Sequence, residues 1–231
     1  MNNKWKEIWN KRSADQDKYS LDDLIKLDGF DTGAGKINEN DWRYLTNKVA
    51  EVLGLQDDDT VFEVGCGAGA FLYSLLEVYD LKVGGLDYSE GLIEIAKKVM
   101  PDGNWILDEA KNIPDDQEFD YVISHGVFHY FGLSYASQVL DKMIKSARKC
   151  IAVLEVPDLD TKYEAESIRR DLLTEENYKK KYEGLEHTYY SKKWFENIAI
   201  ENDLETIFLE GVIPNYAQNK YRFGVIMKKK E

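Results

Sequence analysis

The sequence is poor in cysteine, histidine and positive charge, and it contains no long apolar run. Its two cysteines, Cys66 and Cys150, show no repeated Cys-x-x-Cys or Cys/His spacing. No carboxylate and histidine cluster has metal-ligand spacing either, so no metal site is expected. A disulfide is unexpected in a reducing compartment. No stretch approaches the ~20 apolar residues that a bilayer span requires, and Met1-Asn2-Asn3-Lys4-Trp5 lacks the apolar core of a secretory signal. These absences predict a cytoplasmic protein without a membrane partner. Lysine and arginine total 30 against 43 aspartates and glutamates, a formal net charge of −13. Nucleic acids are held largely by Lys/Arg contacts to phosphates, so this balance disfavours them. Lys179-Lys180-Lys181 is a local basic cluster, for which a solvated helix face is the simpler explanation.

The 231 residues suffice for one α/β domain with a small appended lid. Residues 1–55 read as a helical, acidic lid segment interrupted by the glycine-bearing turn Asp28-Gly29-Phe30-Asp31-Thr32-Gly33-Ala34-Gly35. Trp42, Leu45, Val49 and Leu53 follow at helical spacing up to Gly54. Beyond residue 56 short β-rich runs alternate with helices. Strands are expected at Thr60–Val64, Leu81–Leu86, Asn104–Leu107, Phe119–Ser124 and Cys150–Val156, with helices at Ala70–Tyr79, from Ser89, and at Leu133–Ala147. This rhythm predicts a parallel sheet with helices on both faces. A charged insert at about 158–190 breaks it. Helix Lys192–Glu201 and a hairpin of Glu205–Val212 and Tyr221–Lys228 then close the chain with a reversed strand.

The sharpest local signal is Val61-Phe62-Glu63-Val64-Gly65-Cys66-Gly67-Ala68-Gly69-Ala70, a strand running through a glycine-rich turn into a helix. Missing side chains let backbone approach a ligand, and the helix start presents unpaired N–H groups. Asp87 ends the second strand at a spacing suited to ribose hydroxyls. An aspartate capping the Ser89 helix would read the same way. The glycine pattern alone also fits a dinucleotide such as NAD.

Four motifs in order carry a more specific resemblance: Glu63-Val-Gly65-Cys-Gly67-Ala-Gly69, Gly85-Leu86-Asp87-Tyr88-Ser89, Asp108-Glu109-Ala110 and Phe119-Asp120-Tyr121-Val122-Ile123-Ser124. Together they resemble the class I S-adenosylmethionine (SAM) dependent methyltransferases, in particular those acting on small molecules. The resemblance implies a Rossmann-like sheet of seven mostly parallel strands, the last antiparallel. It also implies SAM as cofactor and S-adenosylhomocysteine as product. By the same resemblance Glu63, Gly65, Cys66, Gly67 and Gly69 would hold the amino-acid part of SAM. Asp87 would take the ribose and Tyr88 the adenine face. Asp108 would take the adenine amino group, with Glu109 and Ala110 beside it. Ser124 and His125 would floor the site near the sulfonium.

All three histidines fall in loops expected at the carboxyl ends of strands, where an acceptor's base would sit. His129 and His187 are the candidate catalytic bases, although a structural role is the commoner fate of a histidine. The lid regions supply Trp5, Trp9, Phe30, Trp42, Tyr189 and Tyr190 as candidate aromatic walls. The Asn-Pro-Pro-Tyr type motif of nitrogen-modifying members is absent after the fourth strand. The expected activity is therefore methyl transfer from SAM to a small-molecule acceptor, with oxygen the favoured nucleophile. An NAD-dependent oxidoreductase and a non-catalytic SAM-binding module are the alternatives.

Overall fold

The computed structural model describes residues 3–114, 116–171, 174–177 and 183–230. The basic cluster Lys179-Lys180-Lys181 and part of the insert at 158–190 lie outside the described residues. Three helices, α1 (Asn3–Asn10), α2 (Leu21–Leu27) and α3 (Glu39–Leu53), precede the sheet. Ser20 caps α2 through a reciprocal pairing with Asp23, and the Asn38 side chain accepts from Asp41 N–H to start α3. Trp42, Leu45, Val49 and Leu53 form the buried stripe of α3, which ends at Gly54 in the left-handed region.

The alternating part comprises β1 (Thr60–Val64), α4 (Ala70–Leu76), β2 (Lys82–Asp87), α5 (Glu90–Val99), β3 (Asn104–Leu107), β4 (Phe119–His125), α6 (Leu133–Ser146), β5 (Ala147–Pro157) and α7 (Lys162–Asp171). It closes with α8 (Lys192–Glu201), β6 (Leu204–Glu210) and β7 (Arg222–Lys229). The seven strands lie in the order β3-β2-β1-β4-β5-β7-β6. β1, β2, β3, β4 and β5 pair in parallel, and β7 runs antiparallel to both β5 and β6. This is the Rossmann-like sheet with a reversed last strand that the motifs imply.

Two boundaries differ from the periodicity by three residues. Helix α4 stops at Leu76 instead of Tyr79, because Val78 and Tyr79 N–H both turn back onto Leu75 O ahead of β2. Strand β5 begins at Ala147, not Cys150, since Ala147 already pairs with Phe119 across an irregularity in β4.

Two apolar clusters cover the sheet. One joins α3, α4 and α5 to the sheet and includes Leu21, Leu24, Ile25 and Ile37 from the N-terminal segment. The other packs α6 and α8 against the opposite face. Leu24 and Ile25 are fully buried, and each contributes up to about 1.5–3 kcal/mol by leaving water. The N-terminal segment is thus anchored in the core of the sheet. Among the described residues no helix is long and apolar enough to cross a membrane.

The chain leaves β1 toward β2 and β3, then returns on the other side as β4. That reversal leaves a crevice beyond the carboxyl ends of β1 and β4, where open α/β sheets bind ligands.

Candidate cofactor site

A cavity of about 700 Å³, its mouth included, occupies this crevice. Glu63, Gly65, Cys66 and Gly67 reach it from the end of β1, and Asp87 and Tyr88 from the end of β2. Asp108, Glu109 and Ala110 enter after β3, and His125 ends β4 at its floor. Sequence positions up to 62 apart thereby meet around one space. Gly69 and Ser124 stand outside the lining. Gly69 starts α4 with φ +86°, and the Ser124 hydroxyl donates to Val64 O at 2.9 Å, fastening β4 to β1.

The carboxylates are held by backbone. Asp87 accepts from Ser89 N–H at 2.8 Å and from Gly67 N–H at 3.1 Å, so it both caps the following helix and ties the glycine turn to β2. Asp108 accepts from Glu109 N–H at 2.7 Å and from the Asn112 amide at 2.6 Å. Lys6 of α1 pairs with Glu109 and lies 5.8 Å over the Tyr88 ring. Ser89 Oγ meets Trp9 O at 3.2 Å. Helix α1 therefore closes over the Tyr88–Glu109 end of the cavity.

Trp9, Phe30 and Trp42 line the cavity; Trp5, Tyr189 and Tyr190 do not. Trp5 packs on Tyr130 and His187, and the buried Tyr190 hydroxyl donates to the Phe128 and Phe131 carbonyls. His125 stacks on Phe30 at 5.0 Å and meets the Trp42 edge at 5.1 Å. Burial, aided by the Arg222 charge, pushes its imidazole down to about 3, so the ring is neutral at physiological pH. Its Nε2 is buried without a partner.

His129 and His187 come together, ring centroids 4.4 Å apart, behind Tyr130 rather than on the cavity lining. Arg222 Nη1 lies 3.4 Å from His129 Nδ1. A guanidinium only donates, so Nδ1 accepts and the ring proton sits on Nε2.

Two features escaped the sequence reading of the site. Asp28, at the end of α2, reaches into the cavity, where its carboxylate accepts from Ala68 N–H at 2.6 Å and Ala70 N–H at 3.0 Å. Gly67 makes this approach possible: a Cβ there would stand 2.2 Å from Asp28 Oδ1. Glu155 adopts φ +61° in β5 and is held by Arg222 at 3.4 Å and by the Tyr216 hydroxyl at 2.7 Å. It lines a smaller cavity that shares His125 with the first. Aspartate after a helix and glutamate in a strand carry no pattern that announces either placement.

Burial raises all three carboxyls at the Asp28 end. It takes Asp28 to about 7 and Asp87 to about 6, against the pull of their N–H donors. Glu63 is driven well above the carboxylate range by burial and by the charges of Asp28 and Asp87. Among the described residues none of the three has an ion-pair partner, and Glu63 Oε2 is buried without a hydrogen bond. Desolvated acids around a cavity fit a ligand that brings positive charge, as SAM does.

A family model described as a methyltransferase domain matches residues 61–149. The chain is similar to a malonyl-[acyl-carrier protein] O-methyltransferase of Ilyobacter polytropus, with 29% identity over 34% of this chain and 31% of that one. It is similar to a tRNA (carboxymethyluridine(34)-5-O)-methyltransferase of Saccharomyces cerevisiae, with 37% identity over 30% of this chain and 24% of the other. The chain thus spans under a third of the length of these two relatives. Among solved structures, the magnesium protoporphyrin IX methyltransferase of Synechocystis PCC 6803 with bound SAM superimposes with a TM-score of 0.59. That match covers 99% of this chain and 93% of the other at 14% identity, a likeness of fold. Residues 61–149 thus match a methyltransferase domain, three of the four motifs gather on one cavity, and the fold is that of a methyltransferase crystallised with SAM and with S-adenosylhomocysteine.

Proposed function

We propose that the protein transfers the methyl group of SAM to a small-molecule acceptor, with an oxygen atom as the nucleophile, in the cytoplasm. The observation that carries this reading is the wall of Phe30, Trp42 and Phe71 around the neutral His125 on the cavity floor. An apolar wall of this kind excludes water from the reacting atoms. The formal charge of −13 supports the same conclusion, since a nucleic-acid substrate requires a basic surface. The yeast relative is named for a tRNA substrate, but its likeness covers only 30% of this chain.

In this reading Glu63, Gly65, Cys66 and Gly67 hold the amino-acid part of SAM. Asp87 holds the ribose, and Tyr88, Asp108, Glu109 and Ala110 the adenine. Gly69 and Ser124 support the turn and the floor from behind. The sulfonium supplies an electrophilic methyl, so the protein has to align the acceptor, exclude water and accept a proton. His129 and His187 are the candidate bases. Arg222 occupies Nδ1 of His129, and Tyr130 stands between this pair of histidines and the cavity. The N-terminal segment 1–55 and the insert at 158–190 act as lids on the domain that begins at residue 56.

The test is a methyl-transfer assay across small hydroxyl and carboxyl acceptors, scored by S-adenosylhomocysteine formation. His187→Ala is expected to lower turnover about 100-fold while leaving SAM affinity unchanged. Tight SAM binding with no turnover on any acceptor would favour a non-catalytic binding module. Binding of NAD in place of SAM would favour an oxidoreductase.

A further inference from the structure

We propose that Asp28, delivered by the N-terminal segment, is a cofactor-binding residue that shares the α-ammonium of SAM with Glu63. The inference rests on the proposed SAM site and assigns a residue that no glycine-turn motif includes.

Three observations meet here. First, Asp28 lines the cavity at the glycine turn, near enough to Glu63 for its charge to act on that carboxyl. Second, its two oxygens each accept one backbone N–H, from Ala68 and from Ala70. A carboxylate has about four lone-pair sites, so each oxygen keeps one for a ligand. Third, Glu63 is 3% exposed, lines the same cavity, and has an oxygen with no hydrogen-bond partner. A buried acceptor left unpaired in this way is costly unless a donor arrives.

A cationic donor fits this group of acids. The charges of Asp28 and Asp87 act on Glu63 and that of Asp87 on Asp28, and the opposing charge acting on Asp28 is Arg12. Arg12 is otherwise engaged: it donates to the Lys26 and Leu27 carbonyls at the end of α2 and lies 3.7 Å from Asp31. The remaining polar groups on this side, Cys66, Tyr88 and the neutral His125, carry no positive charge. Among the described residues no group of His, Cys, Asp and Glu is placed to hold a metal ion. An ammonium has three N–H donors and one charge, which matches two carboxylates with open lone pairs. The same contact would secure the lid, because Asp28 follows the α2 residues anchored in the core.

The test compares the full chain with its Asp28→Asn and Asp28→Ala variants by calorimetric titration against SAM, S-adenosylhomocysteine and 5′-methylthioadenosine. The first two carry the ammonium, and the third is a neutral nucleoside without it. Both variants are expected to lose about 10- to 100-fold in affinity for SAM and S-adenosylhomocysteine, the worth of a charge-assisted hydrogen bond. They are expected to bind methylthioadenosine within about threefold of wild type. Unchanged SAM affinity would overturn the proposal. So would an equal loss for all three compounds, which would mean that Asp28 maintains the shape of the whole site. Wild-type protein that binds none of the three would instead sink the SAM reading itself.

Discussion

Strand β1 carries a buried acid near each end, and the two are treated in opposite ways. At its amino end Asp59 pairs with Lys149 at 2.6 Å. Neighbouring Asp120 of β4 accepts from Thr60 N–H at 2.9 Å and meets Arg148 at 3.2 Å. Burial alone would raise the Asp120 carboxyl, but Arg148 and Thr60 outweigh it and hold it below the usual carboxylate range. At the carboxyl end, Glu63, Asp28 and Asp87 lack ion-pair partners among the described residues, and all three are raised. One end of the sheet has its charges balanced from within the chain. The other is left short of positive charge, which is what a binding site for a cationic cofactor requires.

The largest expected effect that would break this comparison is at Asp87. Asp87→Ala removes the acceptor for a ligand's hydroxyls and the tie to Gly67 N–H together. SAM affinity should fall at least about 100-fold by calorimetric titration, with the fold retained by circular dichroism. Near-normal affinity would mean that the cofactor lies elsewhere.

A second expectation concerns pH. Asp28 and Asp87 titrate at about 7 and about 6 in the free site, and a cationic ligand favours their ionised forms. Binding therefore releases protons. SAM affinity should rise as pH increases through 6 and 7, whereas a pH-independent affinity would show that these acids do not face the ligand's charge. The groups around them bear on the same profile: Glu63, Cys66, Tyr88, Glu109, Tyr130 and His125 line the cavity, with Arg12 beside Asp28.

The smallest effects sharpen the contrast through stability. Glu63 is raised in the fold, so its ionisation opposes folding above the carboxylate range. Glu63→Gln should raise the unfolding temperature of the ligand-free protein by a few degrees, equivalent to about 1 kcal/mol, and weaken SAM binding. Asp120 is lowered in the fold, so its contribution is present above the unfolded value near 4 and lost as pH falls below it. Asp120→Asn should therefore destabilise the protein by about 1–3 kcal/mol at pH 7 and leave SAM affinity unchanged. Thermal melts with and without SAM read both.

The contrast also separates what was legible in the sequence from what was not. Strand alternation, the glycine turn and Asp87 were readable because each depends on neighbours within a few residues or on a fixed strand–helix–strand spacing. Ten of the twelve candidate cofactor residues, from Glu63 to His125, accordingly converge on the cavity. Gly69 and Ser124 belong to the motifs but serve the backbone, a distinction that spacing does not encode. Asp28 was seen only as part of a glycine-bearing turn. Its role depends on α2 packing into the core about 40 positions away from the turn it touches. Glu155 and Arg222 meet only because β7 reverses beside β5. His129 sits in the short 3-10 turn Phe128–Tyr130 and His187 in an irregular segment, and the separation of both from the cavity by Tyr130 follows from side-chain packing alone.

The most direct measurement is parallel calorimetric titration of the protein with SAM, S-adenosylhomocysteine and NAD at pH 7.5. The account predicts that the first two bind and that NAD does not. Binding of NAD without SAM would contradict it.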